Sequence, residues 1–115
     1  MPMRLCLATF VWAAALAGCA TLPHPGPLDA ERAVRRWPEV TLATLQAGRK
    51  MYVAKCSGCH SLRSPSSKPA DTWPSALDEM EQDGDLTLTR SERLLIEQFL
   101  VTMSEAPLAT AQRAP

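Results

Sequence analysis

Apolar and polar residues follow a helical periodicity in four separate stretches of the chain, which come after an uninterrupted apolar run at the N-terminus. Within these stretches the apolar residues recur every three to four positions, so that they share one face of a helix. The pattern therefore predicts an all-α fold of three to four short helices.

The first two helical stretches lead towards a pair of cysteines. Residues 29–37 form a short pattern that Asp29 is placed to cap and Pro38 is placed to end. Residues 41–55 carry apolar side chains on one face and basic ones on the other, and they run directly into the cysteine pair. Gly48 in this second helix costs about 1 kcal/mol relative to Ala, so we expect a structural reason for it, such as the close approach of another helix.

The last two helical stretches follow the cysteine pair and a polar loop. Residues 73–80 predict a helix that accepts Pro74 in its first turn. Thr89 and Glu92 match a capping box, in which each side chain accepts a hydrogen bond from a backbone N–H of the other residue. The helix that they begin is predicted to extend to about Met103.

The apolar run at the N-terminus, residues 5–17 after Arg4, is too short to cross a bilayer comfortably and is typical of a secretory signal. Its end, residues 16–19 (Leu-Ala-Gly-Cys), resembles the bacterial lipobox, which implies that Cys19 is acylated and becomes the first residue. The next residue is Ala20, which by resemblance to bacterial sorting favours the outer membrane. An ordinary signal peptide or an uncleaved anchor is the alternative.

Composition argues against nucleic-acid binding and limits the roles that the cysteines can have. The chain has 12 Lys and Arg against 12 Asp and Glu, so no basic stripe indicates nucleic-acid binding. Of the four cysteines, Cys6 leaves with the signal and Cys19 carries lipid. Only Cys56 and Cys59 then remain in the folded part, and no disulfide framework is expected.

Residues 56–60, Cys-Ser-Gly-Cys-His, form C-x-x-C-H, the motif of c-type haem attachment. Two thiols at this spacing reach the two vinyl groups of one porphyrin, and the adjacent imidazole then lies beneath the iron. The motif predicts one covalent haem c on Cys56 and Cys59, with His60 as an axial ligand of the iron.

Three other interpretations of the cysteine pair are a thioredoxin-like dithiol, half of a zinc site and a structural disulfide. A redox dithiol would require a preceding strand, and no strand is predicted before the pair. A zinc site would need two more ligands, and His24 is the only other histidine. A disulfide across two residues is strained and leaves His60 unexplained. Export also favours haem, because bacteria attach c-type haem outside the cytoplasm.

The residues around this motif resemble those of class I cytochromes c. Gly48 and Tyr52 stand eight and four positions before Cys56, where that family has a Gly and an aromatic residue. Phe99 and Leu100 resemble the family's aromatic–Leu pair on its C-terminal helix. The resemblance implies a small cytochrome c-like fold around the haem, in which the two helices cross closely at Gly48. The order of features also resembles short haem domains of some multi-haem and amine-dehydrogenase-type cytochromes.

The same resemblance implies the sixth iron ligand. Met80 follows the motif and precedes the last helix, which is the order in which the family presents its Met ligand. The spacing from His60 is shorter than in typical members, and Met103, His24 or an open position are the alternatives.

Three further residues near the motif can each be interpreted either as a contact of the haem or its ligand, or as a structural residue. Pro65 or Pro69 offers a backbone carbonyl to the ring N–H of His60, or simply lies in a loop. Trp73 packs on the porphyrin or bonds a propionate, or it fills the core.

Together these predictions divide the chain into four segments. They are a signal peptide (1–18), a tether with a short helix (19–38), a cytochrome c-like haem domain (39–105) and a flexible tail (106–115). A haem in a small helical shell without an acid–base pair indicates one-electron transfer and no enzymatic activity. We expect redox protein partners on the periplasmic side of a membrane. A ligand sensor with an open axial site, or a non-haem lipoprotein module with a CxxC disulfide, is the alternative.

Overall fold

The computed structural model describes residues 22–57 and 62–106, which form four α-helices joined by turns. The helices are α1 (Pro27–Ala33), α2 (Leu42–Cys56), α3 (Trp73–Gln82) and α4 (Arg90–Ser104). Two 3₁₀ turns, Pro65–Ser67 and Ala70–Thr72, lie between α2 and α3. These described ranges contain no strand, so the predicted small all-α fold is confirmed.

Local sequence signals set the ends of α3 and α4. The predicted capping box of α4 is confirmed, since the Glu92 N–H donates to the Thr89 hydroxyl at 3.2 Å and the Thr89 N–H donates to the Glu92 carboxylate at 2.9 Å. Pro74 lies in the first turn of α3, as predicted. Gly84 follows α3 with a φ of 78°, which is the left-handed region that favours glycine.

The first helix begins earlier than its sequence pattern predicts. Pro27 occupies the first helical position, and Asp29 lies two residues further on, where its carboxylate accepts a hydrogen bond of 2.7 Å from the Gly26 N–H. Asp29 is therefore not the N-cap, and the prediction of a helix starting there is wrong. The fixed φ of Pro27 already suits a first turn, which extends the helix in the N-terminal direction.

The main core lies where α2 crosses α4. A Cβ atom at Gly48 would clash with the backbone oxygen of Leu95 and lie only 2.9 Å from the Cβ of Phe99. The predicted close contact at Gly48 is therefore confirmed. One turn further along α2, the rings of Tyr52 and Phe99 pack with their centroids 6.0 Å apart. The buried cluster consists of Tyr52, Trp73, Leu77, Ile96, Phe99, Leu100, Val101 and Met103.

The residues before α1 lie against the helical body. The guanidinium of Arg49 on α2 donates to the carbonyl oxygens of Leu22 and Pro23, at 3.1 and 3.2 Å. Leu22 also packs against the main core. Within the described ranges, no helix combines the length and the apolar character needed to span a membrane.

Candidate haem site

A cavity of about 650 Å³ lies between the end of α2, the loop that follows it and α3. This volume is in the usual range for sites of small molecules and cofactors. Six lining residues are apolar, aromatic or sulfur-bearing, and four are charged; the first set is Tyr52, Cys56, Leu62, Trp73, Ala76 and Met80, and the second is Arg63, Lys68, Glu79 and Asp83.

The loop wall of this cavity is fixed by three side chains that donate to its backbone carbonyls. The Tyr52 hydroxyl of α2 donates to the Arg63 oxygen at 2.8 Å, and the Trp73 indole of α3 donates to the Pro65 oxygen at 2.9 Å. The third bond, of 2.6 Å, runs from the Ser104 hydroxyl of α4 to the Lys68 oxygen. Each of three helices therefore holds one point of the loop.

Burial keeps the Tyr52 hydroxyl in its donor form. Desolvation raises the pKa of Tyr52 above its ordinary value, and the nearby charge of Cys56 raises it further. The backbone of Arg63 and its positive charge act in the opposite direction on this pKa. The phenol therefore stays protonated at neutral pH and continues to donate to the loop.

The structure brings two of the predicted site residues to the same cavity. Cys56 is the last residue of α2 and lines the cavity, and the half-buried Met80 lines it from α3. Cys59 and His60 lie outside the described residues, as does Cys19. The roles predicted for these five residues stay predictions.

The alternative sixth ligands lie elsewhere. Met103 is only 6% exposed and belongs to the packed core of α4. His24 is exposed on the outer face of α2, beside Lys50, and does not line the cavity. Of the three candidate side chains, Met80 is therefore the one that faces the same space as Cys56.

The loop prolines and Trp73 have partners that the sequence did not identify. Trp73 is 1% exposed and its indole N–H is bound to Pro65, so this side chain fills the core and its donor is used within the protein. The Pro69 carbonyl accepts from both the backbone N–H and the hydroxyl of Thr72, at 3.1 and 2.7 Å. The predicted bond from His60 to either carbonyl stays a prediction.

A single arginine attaches α3 to α4. The Arg93 guanidinium donates to the carboxylates of Asp78 and Glu81, at 2.5 and 2.6 Å, and to the Pro74 carbonyl at 3.0 Å. Sequence reasoning missed this role of Arg93. The available signal was the lack of any Lys or Arg between positions 69 and 89, which leaves Arg90 and Arg93 as the nearest cations downstream of the acidic helix.

The lining residues fit a haem group. Leu62, Ala76 and Met80 offer apolar atoms to a flat macrocycle, and Cys56 offers a thiol at the helix end. Arg63 and Lys68 form no ion pair with any residue that the structure describes, so both cations are available for propionate carboxylates. Thioether attachment and axial ligation would be supplied by the C-x-x-C-H motif and a Met.

Comparison with known protein families identifies a family that the chain matches. The family model described as dihaem cytochrome c matches residues 52–115, which is more than half of the chain. The matched range includes the C-x-x-C-H motif, the cavity loop, α3 and α4. No curated protein and no solved structure matches the chain significantly.

Proposed function

This chain belongs to the dihaem cytochrome c family, and on that premise we propose that it is a membrane-anchored electron-transfer protein with a single covalent haem. Family membership makes it a c-type cytochrome that takes part in haem-based electron transfer. When bound, the haem supplies one-electron cycling between Fe(III) and Fe(II). The protein's own residues hold this group, exclude water from it and select its axial ligands.

The proposal of one haem rests on the number of haem-attachment motifs in the sequence. The family description names two haems, whereas the 115 residues contain a single C-x-x-C-H motif, at positions 56–60. We expect the intact mass of protein expressed with a cytochrome c maturation system to correspond to one covalent haem. A mass that corresponds to two would contradict the proposal.

Covalent attachment through Cys56 and Cys59 is tested by a haem-stained denaturing gel. We expect a stained band for the unaltered chain and none for the double variant Cys56→Ser, Cys59→Ser. Cys6→Ser is the matched control and should keep the band, because this cysteine is expected to leave with the signal. An unstained band for the unaltered chain would favour the lipoprotein module with a CxxC disulfide instead.

The observation that carries the ligand proposal is that Met80 lines the same cavity as Cys56, whereas Met103 is buried in the core. A Met thioether as a second protein ligand besides His60 would raise the reduction potential of a bound haem and close its iron to external ligands. We therefore propose His60 and Met80 as the axial pair.

Two variants separate Met80 from Met103. Met80→His should lower the reduction potential and abolish the long-wavelength absorption band of sulfur-ligated ferric haem. Met103→Leu should leave both unchanged, because it only exchanges one core side chain for another of similar volume. If carbon monoxide bound to the reduced, unaltered protein, the position would be open and the ligand-sensor alternative would be favoured.

The membrane anchor is the second part of the proposal, and it rests on the lipobox resemblance that ends at Cys19. We expect mass spectrometry of the N-terminal peptide to show acyl groups on Cys19 and fractionation to place the protein in the outer membrane, with the haem domain in the periplasm. Recovery in the soluble periplasmic fraction without acylation would contradict it. The redox partners would be proteins held near the same membrane.

A further inference from the structure

A second cavity, of about 510 Å³, lies on the outer face of α2 and shares no lining residue with the haem site. We call it the N-terminal groove; it is lined by His24, Gln46, Arg49, Lys50, Val53 and Ala54. None of these lining residues is acidic, and neither Arg49 nor Lys50 forms an ion pair within the described ranges. A cation, Lys50, beside the apolar side chains of Val53 and Ala54 suits a phosphodiester that is joined to an apolar group.

The N-terminal groove lies where the chain from the predicted lipid anchor reaches the folded body. Arg49 holds the carbonyls of Leu22 and Pro23 against α2, and His24 is the next residue along the chain. Cys19 is three residues before Leu22 in the sequence, and three peptide units span at most about 11 Å. An acylated Cys19 would therefore bring this face of α2 to the lipid headgroups.

The distribution of charged residues also favours an orientation in which the N-terminal part of the domain faces the membrane. Residues 22–50 contain five Lys and Arg against three Asp and Glu, whereas residues 69–89 contain six Asp and Glu and no Lys or Arg. An anionic membrane surface attracts the first segment and repels the second, over a distance of about one Debye length. The field would draw residues 22–50, which include α1 and the start of α2, towards the lipid and turn the acidic α3 away from it.

We propose that the N-terminal groove binds the headgroup phosphate of an anionic phospholipid in the leaflet that holds the lipid on Cys19. Lys50 and His24 face the phosphate, Gln46 donates a hydrogen bond, and Val53 and Ala54 contact the glycerol region. The inference rests on the proposed lipid anchor. Its consequence is a domain with a fixed orientation on the membrane.

The test measures how fast an amine-reactive reagent labels individual lysines in the full haem-loaded, lipidated protein. The protein is reconstituted into vesicles of phosphatidylcholine alone, or of phosphatidylcholine with phosphatidylglycerol. The chain has three lysines, Lys50, Lys55 and Lys68, so Lys68 in the haem cavity serves as the internal reference for Lys50. We expect phosphatidylglycerol to slow the labelling of Lys50 about fivefold relative to Lys68. Equal relative rates in the two vesicles would overturn the proposal.

Two variants with the same change in charge test whether the protection of Lys50 depends on the N-terminal groove. Gln46→Glu places a carboxylate in the N-terminal groove and should abolish the protection of Lys50 by phosphatidylglycerol. Gln82→Glu makes the same change at an exposed position at the end of α3 and should leave the protection intact. Loss of protection in both variants would show a response to net charge alone and would overturn the assignment to this groove.

Two further arms separate the lipid from other causes. Inorganic phosphate added to phosphatidylcholine vesicles should not protect Lys50, and equal protection there would identify a site for free phosphate and overturn the lipid proposal. The mass of the N-terminal peptide and the haem stain report on the anchor and the cofactor separately. An intact lipid and haem with unprotected Lys50 would overturn the groove alone, whereas an unacylated Cys19 would overturn the anchor and this inference with it.

Discussion

The α2–α4 crossing and the haem cavity are neighbouring parts of one helical body, but side chains fill them to different extents. At the crossing, Ile96, Phe99 and Leu100 are fully buried, and Gly48 leaves no space for even one additional carbon atom. On the α3 side, a space of about 650 Å³ remains between helix and loop. The polypeptide thus fills the crossing with its own side chains, whereas under the proposed function a haem would occupy the cavity beside α3.

Removal of the haem should have the largest effect, and it should reduce amide protection mainly on the cavity side. In the double variant Cys56→Ser, Cys59→Ser, amides of α3 and of residues 62–72 should exchange with solvent at least about tenfold faster than in the holo-protein, because their packing partner is absent. Amides of α4 that face α2 should keep most of their protection. Hydrogen exchange followed by mass spectrometry measures both. Equal loss of protection in all segments would show that the crossing is not complete without haem.

The closeness of the crossing is tested by Gly48→Ala. The added methyl group would meet the Leu95 backbone, which cannot rotate away, so the free energy of unfolding should fall by about 3 kcal/mol in urea titrations. Gly26→Ala is the matched control, because its new methyl group would lie 3.8 Å from the nearest atom, the Asp29 Oδ2. This control should cost about 0.5–1 kcal/mol, because Gly26 is the N-cap of α1 and Ala is a poorer N-cap than Gly. Similar losses in both variants would contradict the close contact.

The cavity wall is tested by Trp73→Phe, which keeps an aromatic ring and removes the donor to the Pro65 carbonyl. Since that buried oxygen loses its partner, we expect a loss of about 2 kcal/mol in the free energy of unfolding. Trp37→Phe is the control, since the Trp37 indole has no hydrogen-bond acceptor among the described residues. A loss no larger than in the control would show that this bond does not hold the loop.

The smallest effect is expected at the capping box of α4. The hydrogen bond from the Thr89 N–H, and secondarily the neighbouring Lys55, hold the pKa of Glu92 below its ordinary value of 4.5. A carboxyl whose pKa is lowered by folding contributes stability above its ordinary pKa, and this contribution is lost as the pH falls through the lowered value. The difference in Tm between the unaltered protein and Glu92→Gln should therefore disappear on acidification from neutral pH. Glu31→Gln, at an exposed position of α1, is the matched control, and the same convergence there would show that the capping box is not its cause.

Features that depend on residues close in the sequence could be predicted. The helices α2, α3 and α4 follow from their periodicity, and the capping box from Thr89 and Glu92, because each signal spans only a few positions. Gly48 was informative for a related reason: a glycine within a helix is unfavourable unless another element approaches closely. The start of α1 was misplaced because Asp29 is favourable both as an N-cap and within the first turn.

Features that depend on residues far apart in the sequence could not be predicted. Ser104 and the Lys68 carbonyl are 36 positions apart, and neither has a pattern that indicates the other. The same holds for Arg93 with Asp78, 15 positions away. For the site, the order of motif and Met80 indicated a shared cavity, but the residues of its loop wall became evident only from the folded chain.

The three hydrogen bonds that fix the loop have a consequence for how this protein can vary. All three acceptors are main-chain oxygens, which every amino acid provides, whereas all three donors are specific side chains: Tyr52, Trp73 and Ser104. Substitutions at Arg63 or Lys68 can therefore change the charge that lines the cavity while the loop keeps its path. Evolution or a protein engineer can change the surroundings of the proposed haem at these positions without altering the scaffold.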